Sequence, residues 1–313
     1  MMNKPIKPLI FIDFDETITT VDTIALLGQF GINHQLNNNS NNENTIPKSW
    51  SYFTNTYLED YQQVKKEQSS FNNDNENNKE ISRKTKRNTT LVSFIKEHSD
   101  TIEPFRKVEQ QSLDRIASFE VLKGLTSKEW QQAGAHHAPL RPYSDTLFKN
   151  ENVLDRLYIV SLNWSKDWIL GALYRNQSDS SSSINMLKKS HILSNDLEFD
   201  STHHLSTGKI IPSILLTSDK LINIQSILQK KQKQLNQNTK IPWIYIGDSM
   251  GDLLPLLECD KGIIIGRNEK LLETLKHMDI PIQENLNTIT TDKKKIVYRV
   301  DDWEQILNSN LLE

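Results

Sequence analysis

The stretch PLIFIDFDET, residues 8–17, decides the fold of this chain. The apolar run Leu9–Ile12 leads directly into Asp13, and Asp15 and Glu16 follow within three positions. Short runs that are apolar on both faces are typical of parallel strands covered by helices on both sides. Three carboxylates at the end of such a buried strand repel each other unless a cation lies among them. The stretch therefore predicts a parallel sheet with a charged site at its edge.

Length, charge and cysteine content exclude several classes of protein. The chain of 313 residues suits one large domain or two modest ones, and its formal net charge of −3 predicts no general attraction to nucleic acid or anionic membranes. The single cysteine, Cys259, allows no disulfide within the chain and fits a reducing compartment. The apolar runs are too short for a membrane span or a signal peptide. We therefore expect a cytoplasmic globular protein with neither a nucleic-acid nor a membrane partner.

Further short apolar runs predict more strands of the same sheet. They are LYIVS (157–161), PWIYIG (242–247), GIIIG (262–266) and IVYRV (296–300). Helical patterns follow several of these runs, at 164–174, about 219–235, 249–258 and 268–277. A strand followed by a helix, repeated along the chain, predicts an α/β fold with a doubly wound parallel sheet.

The first part of the chain after the opening strand has a different character. Its periodic segments predict amphipathic helices at 91–97, 104–122 and 126–134. We therefore expect an α/β core of residues 1–24 and 150–313, with a helical domain of residues 25–149 inserted into it.

Asn- and Ser-rich tracts interrupt the chain at 37–44, 68–90 and 178–183. Such tracts cannot bury enough apolar surface to offset the entropy of ordering them. We predict that they are flexible insertions at the surface.

Polar residues follow three of the predicted strands, at the point where ligands bind in open α/β sheets. They are Asp13 and Asp15 after the first strand, Ser161, Asn163 and Trp164 after the second, and Asp248, Ser249 and Asp252 after the third. Carboxylate oxygens are the hard ligands that Mg²⁺ prefers, and Asp13 and Asp248 are its natural ligands here. The sequence thus predicts a magnesium site at this edge of the sheet.

Each of these features also has a purely structural interpretation. An Asp-x-Asp sequence after a strand can form a turn, and Asp248 with Ser249 can cap the next helix. Trp164 can be a core residue at the start of a helix. The adjacent His136 and His137 are interpreted as solvated or structural, because neighbouring residues on a helix or strand rarely face one ligand.

Four segments together resemble the motifs of the haloacid dehalogenase superfamily. They are IFIDFDET (10–17), YIVS (158–161), LLTSDKL (215–221) and GDSMGD (247–252). The long insertion between the first two resembles the helical cap of the phosphoserine-phosphatase-like subgroup. DFDETITTVDTIALL (13–27) and SLNWSKDWI (161–169) are similar to fungal phosphoserine-phosphatase-like hydrolases. The resemblance implies a Rossmann-like core with a helical cap.

The resemblance also implies catalytic roles. Asp13 would be the nucleophile that forms an aspartyl-phosphate, and Asp15 the general acid and then base. Ser161 and Lys220 would hold the phosphoryl oxygens. Lys220 is preferred because it lies just inside a helix; its rivals for this role are Lys188, Lys189 and Lys209.

The metal implied by the resemblance is Mg²⁺. Asp13, Asp248 and the backbone carbonyl of Asp15 would bind it, and Asp252 would support it from behind or position Lys220. A second Asp in the first motif favours phosphoryl transfer over dehalogenation, because only the former needs a proton for its leaving group.

Three residues are candidates for contacting the rest of the substrate. Asp22 lies where the phosphoserine subgroup carries an acidic residue that faces the substrate amine; alternatively, it caps the helix that begins near Thr23. The other two candidates, Asn163 and Trp164, follow Ser161 together with Leu162, where that subgroup carries two glycines, and this departure leaves the identity of the phosphomonoester open.

The function favoured by these residues is a Mg²⁺-dependent phosphatase for a small soluble phosphomonoester. Two alternatives use the same fold without this activity. One is a catalytically idle or regulatory binding protein, and the other is a protein phosphatase or scaffold that acts through the Asn-rich insertions.

Overall fold

The computed structural model describes residues 6–38, 48–73, 91–175, 186–235, 240–284 and 295–312. Most of the predicted insertions at 37–44, 68–90 and 178–183 lie outside these ranges. Within them, the prediction is wrong for 68–73, because helix Trp50–Asn73 continues to its end through this tract. Gln68 Nε2 donates to the carbonyl of Thr101 at 2.8 Å, which ties this turn to the next helix.

A parallel sheet forms the centre of the fold. Its seven strands among the described residues are β1 (Leu9–Ile12), β3 (Leu157–Val160), β4 (Ile192–Leu193), β7 (Trp243–Gly247), β8 (Lys261–Ile265), β9 (Ile282–Gln283) and β10 (Val297–Val300). They lie in the order β4-β3-β1-β7-β8-β10-β9, and every pairing in the sheet is parallel. The predicted α/β class and the doubly wound parallel sheet are confirmed.

Helices cover both faces of this sheet. Those described are α1 (Ile24–Asn38), α2 (Trp50–Asn73), α3 (Leu91–Ile102), α4 (Arg106–Ser118), α5 (Ser127–His137), α6 (Glu151–Leu154), α7 (Lys166–Leu173), α8 (Thr217–Gln234), α9 (Leu253–Glu258), α10 (Glu269–His277) and α11 (Trp303–Leu307). Alternate residues of β1 belong to separate cores, Ile10 and Ile12 to one and Leu9 and Phe11 to the other. This period of two explains why the strand is apolar throughout.

A second, antiparallel sheet was not predicted. Strand β2 (Lys123–Thr126) pairs with β6 (Leu205–Ile211), which also pairs with β5 (Asp196–Phe199). The second sheet therefore joins the segment 25–149 to the later part of the chain.

The inserted segment is also packed tightly against the main sheet through two helices. A Cβ on Gly134 of α5 would lie 2.1 Å from the carbonyl oxygen of Trp168 in α7. A Cβ on Gly171 of α7 would lie 1.8 Å from the carbonyl oxygen of Gln131. Only glycine allows the two backbones to approach this closely. The division at residues 24 and 150 stays a prediction, since both parts contribute to one hydrophobic core.

In the part of the chain that the structure describes, every helix falls short of the length or apolar character needed to cross a membrane.

Candidate active site

The order of the strands brings the predicted acidic residues together. Strand β1 lies between β3 and β7, so the residues after these three strands meet at one edge of the sheet. The backbone N–H of Asp13 donates to the carbonyl of Ile246 in β7 at 2.9 Å, which holds Asp13 beside the loop that carries Asp248. One oxygen from each of Asp13, Asp248 and Asp252 fits within a cluster 4.8 Å across.

Lys220 is the cation that faces the cluster. It is the fourth residue of α8 and only 2% exposed. Its Nζ lies 2.9 Å from Oδ1 of Asp13 and 2.8 Å from Oδ1 of Asp252. Burial alone would lower the pKa of Lys220, but the charges of Asp13 and Asp252 raise it above its usual range, so the ammonium stays protonated.

The rival lysines lie elsewhere in the structure. Lys189 forms ion pairs with Asp167 and Asp196, and Lys209 reaches Glu198 at 4.0 Å. Lys188 is exposed. Of these lysines, the ion pair with Asp13 belongs to Lys220.

Asp252 is buried, and both of its carboxylate oxygens accept hydrogen bonds from the protein. Its Oδ1 accepts from Lys220 and from the Tyr245 hydroxyl at 2.6 Å, and its Oδ2 accepts from the backbone N–H of Asp248 and Ser249. Gly247 makes this packing possible, because a Cβ there would lie 2.4 Å from Cγ of Asp252. These bonds fix Lys220 and the loop that carries Asp248.

The electrostatics of the cluster favour an added cation. Burial, then the charge of Asp252, raises the pKa of Asp13 well above its usual range, although Lys220 opposes this shift. The same two causes raise the pKa of Asp248 to about 7. One ammonium group does not neutralise three clustered carboxylates, and a divalent cation with a preference for hard oxygen ligands fits this donor set.

The hydrogen bonds of the Asp15 carboxylate are made outside the acidic cluster, next to the start of α1. Its Oδ1 accepts from the backbone N–H and the hydroxyl of Thr23, and its Oδ2 accepts from Nδ2 of Asn163. Burial, then the charge of Asp22, raises the pKa of Asp15 to about 6, against the opposing effect of these hydrogen bonds. A carboxyl group with such a pKa can both give and take a proton near neutral pH.

Ser161 and Asn163 are buried next to each other. The Ser161 hydroxyl oxygen accepts from the backbone N–H of Asn163 at 3.0 Å, which leaves its O–H free to donate. Asn163 donates its side-chain amide to Asp15 and Thr23 and accepts from the backbone of Ser165. Its hydrogen bonds are thus made within the protein, and the direct contact with substrate that the sequence suggested does not follow from this geometry.

Sequence reasoning missed two supports of this site. The Thr17 hydroxyl donates to Oδ1 of Asp248 at 2.9 Å. Arg141 donates from Nε and Nη2 to the carbonyl of Glu16, which has a left-handed backbone conformation with φ of 57°. The sequence gives a signal only for Thr17, which lies within the first motif; the partner of Glu16 is 125 residues away.

A cavity of about 400 Å³ begins at Asp22, whose charge acts on Asp15, and at Leu162, the chain neighbour of Ser161. Its lining also includes Trp164 and, from α2 and α4, aromatic, aliphatic and polar residues. Asp22 is exposed and its Oδ1 accepts from the backbone N–H of Ile24, the first residue of α1. Asp22 therefore accepts a hydrogen bond from the first residue of α1 and also lines the cavity, and its contact with a substrate amine stays a prediction.

His136 and His137 are exposed at the end of α5. His137 stacks on Trp168 with the ring centroids 6.4 Å apart. Among the described residues, the group of side chains with a metal-binding arrangement is the aspartate cluster.

Comparisons with known proteins found relatives of modest similarity. No protein-family model matches the chain. It is 24% identical to "Bifunctional TH2 protein, mitochondrial" of Arabidopsis thaliana over 95% of this chain, and it spans 48% of that protein, about half its length. It is 27% identical to "Cold tolerance protein 1" of Saccharomyces cerevisiae, with 80% of this chain and 76% of that protein covered.

One solved structure shares the fold at low sequence identity. A protein of unknown function from Bordetella pertussis Tohama I matches 88% of this chain and 97% of its own, with a TM-score of 0.50 and 12% identity. A substrate-bound phosphoserine phosphatase matches 97% of this chain and 98% of its own, with a TM-score of 0.45 and 15% identity.

Proposed function

We propose that this chain is a phosphatase for a small phosphomonoester. It has the fold of the haloacid dehalogenase superfamily and resembles the phosphoserine-phosphatase-like hydrolases of that superfamily. The observation that carries the proposal is the contact of the Lys220 ammonium with Asp13, with Asp15 two residues further along the same loop. The proposed nucleophile, Asp13, and the proposed proton donor, Asp15, lie in the loop after β1, with the positive charge of Lys220 against Asp13, and this arrangement supports the proposal.

The residues that would hold Mg²⁺ are Asp13, Asp248 and the backbone carbonyl of Asp15, with Asp252 behind them. When bound, the ion would supply positive charge to the phosphoryl oxygens as negative charge builds up on them.

In the first step, Asp13 would attack phosphorus. Its Oδ1 is engaged by Lys220, so the other oxygen, Oδ2, would form the new bond to phosphorus. The bond from phosphorus to the ester oxygen would break, and Asp15 would give its proton to that oxygen so that a neutral alcohol leaves. The Ser161 hydroxyl and the Lys220 ammonium would donate to the phosphoryl oxygens.

In the second step, water would cleave the aspartyl-phosphate. Asp15 would take a proton from the water while the water oxygen forms a bond to phosphorus. The bond between phosphorus and Asp13 would break, and phosphate would leave. Asn163 would hold Asp15 in place for both transfers through its 3.1 Å hydrogen bond. Asp22 and Trp164, which line the adjacent cavity, would contact the leaving alcohol.

Release of phosphate from p-nitrophenyl phosphate tests this proposal. We expect turnover in Mg²⁺ and its loss in excess chelator. Full activity in chelator would contradict the metal dependence. Absence of turnover with Mg²⁺, across p-nitrophenyl phosphate and a panel of phosphorylated metabolites, would favour the idle or regulatory alternative.

A further inference from the structure

The cavity that is lined by Asp22, Trp50 and Trp164 has walls that are mainly aromatic and aliphatic. Trp50 and Phe53 of α2 lie 6.1 Å apart between ring centroids, and Trp50 makes an edge contact with Trp164 at the same distance. The volume of about 400 Å³ lies within the range of roughly 300–1,000 Å³ of small-molecule sites. Its lining is next in the chain to two residues of the proposed active site, because Leu162 directly follows Ser161 and Asp22 directly precedes Thr23, the partner of Asp15.

A carboxylate lies in the wall opposite the sheet. Glu109 of α4 is largely enclosed by the inserted helices, and its Oε1 accepts a 2.7 Å hydrogen bond from the Tyr57 hydroxyl of α2. Burial raises the pKa of Glu109, although the bond from Tyr57 opposes the shift. The described lining of the cavity contains two carboxylates, Glu109 and Asp22, and no lysine, arginine or histidine.

These features together favour one kind of occupant. A half-desolvated carboxylate is destabilised unless a cation comes near it, and aromatic faces attract cations that are weakly hydrated. An anionic or strongly polar group would be repelled by the carboxylates or would lose its hydration against the apolar walls.

We propose that Glu109 is a specificity-determining residue, and that the alcohol part of the substrate carries an apolar organic cation, of the alkylated-ammonium or pyridinium type, which enters this cavity. This inference rests on the proposed function for the phosphate end of the substrate. The cation would lie among the aromatic rings, with Glu109 at its far side and Asp22 at the mouth of the cavity.

Kinetics on charge-matched pairs of phosphomonoesters test the inference. One pair is phosphocholine and its neutral isostere, in which carbon replaces the nitrogen. The other is a pyridinium-ethyl phosphate and its phenyl isostere. For the wild type, we expect kcat/KM to favour the cationic member of at least one pair by about tenfold or more. Glu109→Gln keeps the shape and an acceptor for Tyr57, and should reduce this preference by about tenfold.

The matched control is Asp114→Asn, which removes one negative charge from the exposed side of the same helix. It should retain the full cationic preference. Equal kcat/KM for the two members of each pair, or a preference that survives Glu109→Gln, would overturn the inference while leaving phosphatase activity intact.

Two measurements do not depend on turnover. The melting temperature with the product alcohols added should rise more for the cation than for its neutral isostere, and this difference should shrink in Glu109→Gln. Without ligand, Glu109→Gln should melt above the wild type at neutral pH, because it removes a desolvated charge. A lower melting temperature, with no discrimination between the alcohols, would show that Glu109 is only structural. Loss of turnover on every ester, p-nitrophenyl phosphate included, would instead count against the proposed function.

Discussion

The hydroxyl of Tyr245 donates a 2.6 Å hydrogen bond to Oδ1 of Asp252, the oxygen that also accepts from Lys220. Both residues are fully buried. A buried carboxylate that accepts four or more hydrogen bonds is held in one orientation, and it holds its donors in turn. Tyr245 therefore acts on Asp13 through Asp252 and Lys220 and is a positioning residue.

Tyr245→Phe removes only this hydroxyl. We expect a loss of about 1.5–3 kcal/mol in the free energy of unfolding, the usual range for a hydrogen bond to a charged group. We also expect kcat to fall about tenfold with little change in KM, because Lys220 loses its fixed position rather than its charge. Denaturant titration and steady-state kinetics measure the two effects.

Tyr158→Phe provides the control, on strand β3 at the other side of β1. Tyr158 is buried, and its ring stacks on Phe11 and His191. Its hydroxyl takes no part in the acidic cluster, so kcat should be unchanged. Equal losses of kcat in the two variants would refute the positioning role of Tyr245.

Arg141 supports the loop that carries Asp13 and Asp15. It donates two hydrogen bonds, of 2.9 and 2.7 Å, to the carbonyl of Glu16, whose φ of 57° costs a non-glycine residue about 1–2 kcal/mol. Arg141→Ala should therefore lower kcat/KM by about tenfold, because the loop that carries Asp13 and Asp15 loses its fixed conformation. Arg267→Ala, which removes an exposed ion pair with Glu269, should leave kcat/KM unchanged. Unaltered kinetics in Arg141→Ala would show that the loop keeps its conformation without the hydrogen bonds from Arg141.

An ion pair joins the inserted helices to the helix of Lys220. Arg106 of α4 donates to both oxygens of Asp219 in the first turn of α8, at 2.8 and 2.9 Å. Burial alone would raise the pKa of Asp219, but the hydrogen bonds from Arg106 and from the backbone of Leu215 and Leu216 lower it below 3.8. The ion pair therefore stabilises the folded protein at pH values above 3.8. This stabilisation is lost as the pH falls through the lower pKa that Asp219 has in the folded state.

Arg106→Ala should thus lower the free energy of unfolding by about 1 kcal/mol at neutral pH, since the arginine is partly exposed. The difference from the wild type should shrink as the pH falls below about 4, because Asp219 becomes protonated first in the variant and, at lower pH, in the wild type. Denaturant titration of both proteins across this pH range measures this difference. A difference that stays constant down to acid pH would exclude the charge of Asp219 as its cause.

Much of the sheet follows from the sequence, because each central strand is a continuous apolar run flanked by a helical pattern. The five strands predicted at 8–13, 157–161, 242–247, 262–266 and 296–300 are confirmed within a residue or two of their ends. The polar residues after them were placed at one edge by a rule for parallel sheets that needs no knowledge of side-chain contacts.

The antiparallel sheet and the cavity could not be predicted in this way. Strand β2 has four residues and includes a glycine, and its partner β6 lies about eighty residues further on. Tyr57 and Glu109 are 52 residues apart and lie on two different helices, and only the packing of these helices decides which faces meet. The same limit applies to Tyr245, because an apolar strand gives no sign that one hydroxyl reaches Asp252.

The two aspartates after β7 should differ in their effect on Mg²⁺ binding. Asp248 has one hydrogen bond from Thr17 and is partly exposed, whereas both oxygens of Asp252 are occupied by protein donors. We expect Asp248→Ala to weaken Mg²⁺ binding by tenfold or more, roughly the effect of losing a ligand, and Asp252→Ala to weaken it less. Calorimetric titration of each purified variant with Mg²⁺ measures this. Equal dissociation constants in the two variants would reject the distinction.

Mass analysis of the peptide that contains Asp13, after acid quench of the protein with p-nitrophenyl phosphate and Mg²⁺, tests most directly whether Asp13 carries the phosphoryl group. We expect this peptide to gain the mass of one phosphoryl group in the wild type and in Asp114→Asn. We expect neither the gain nor phosphate release in folded Asp13→Asn, because an amide cannot form the intermediate. Phosphate release by Asp13→Asn at more than a few per cent of the wild-type rate, or a phosphoryl group found on another residue, would contradict this role of Asp13.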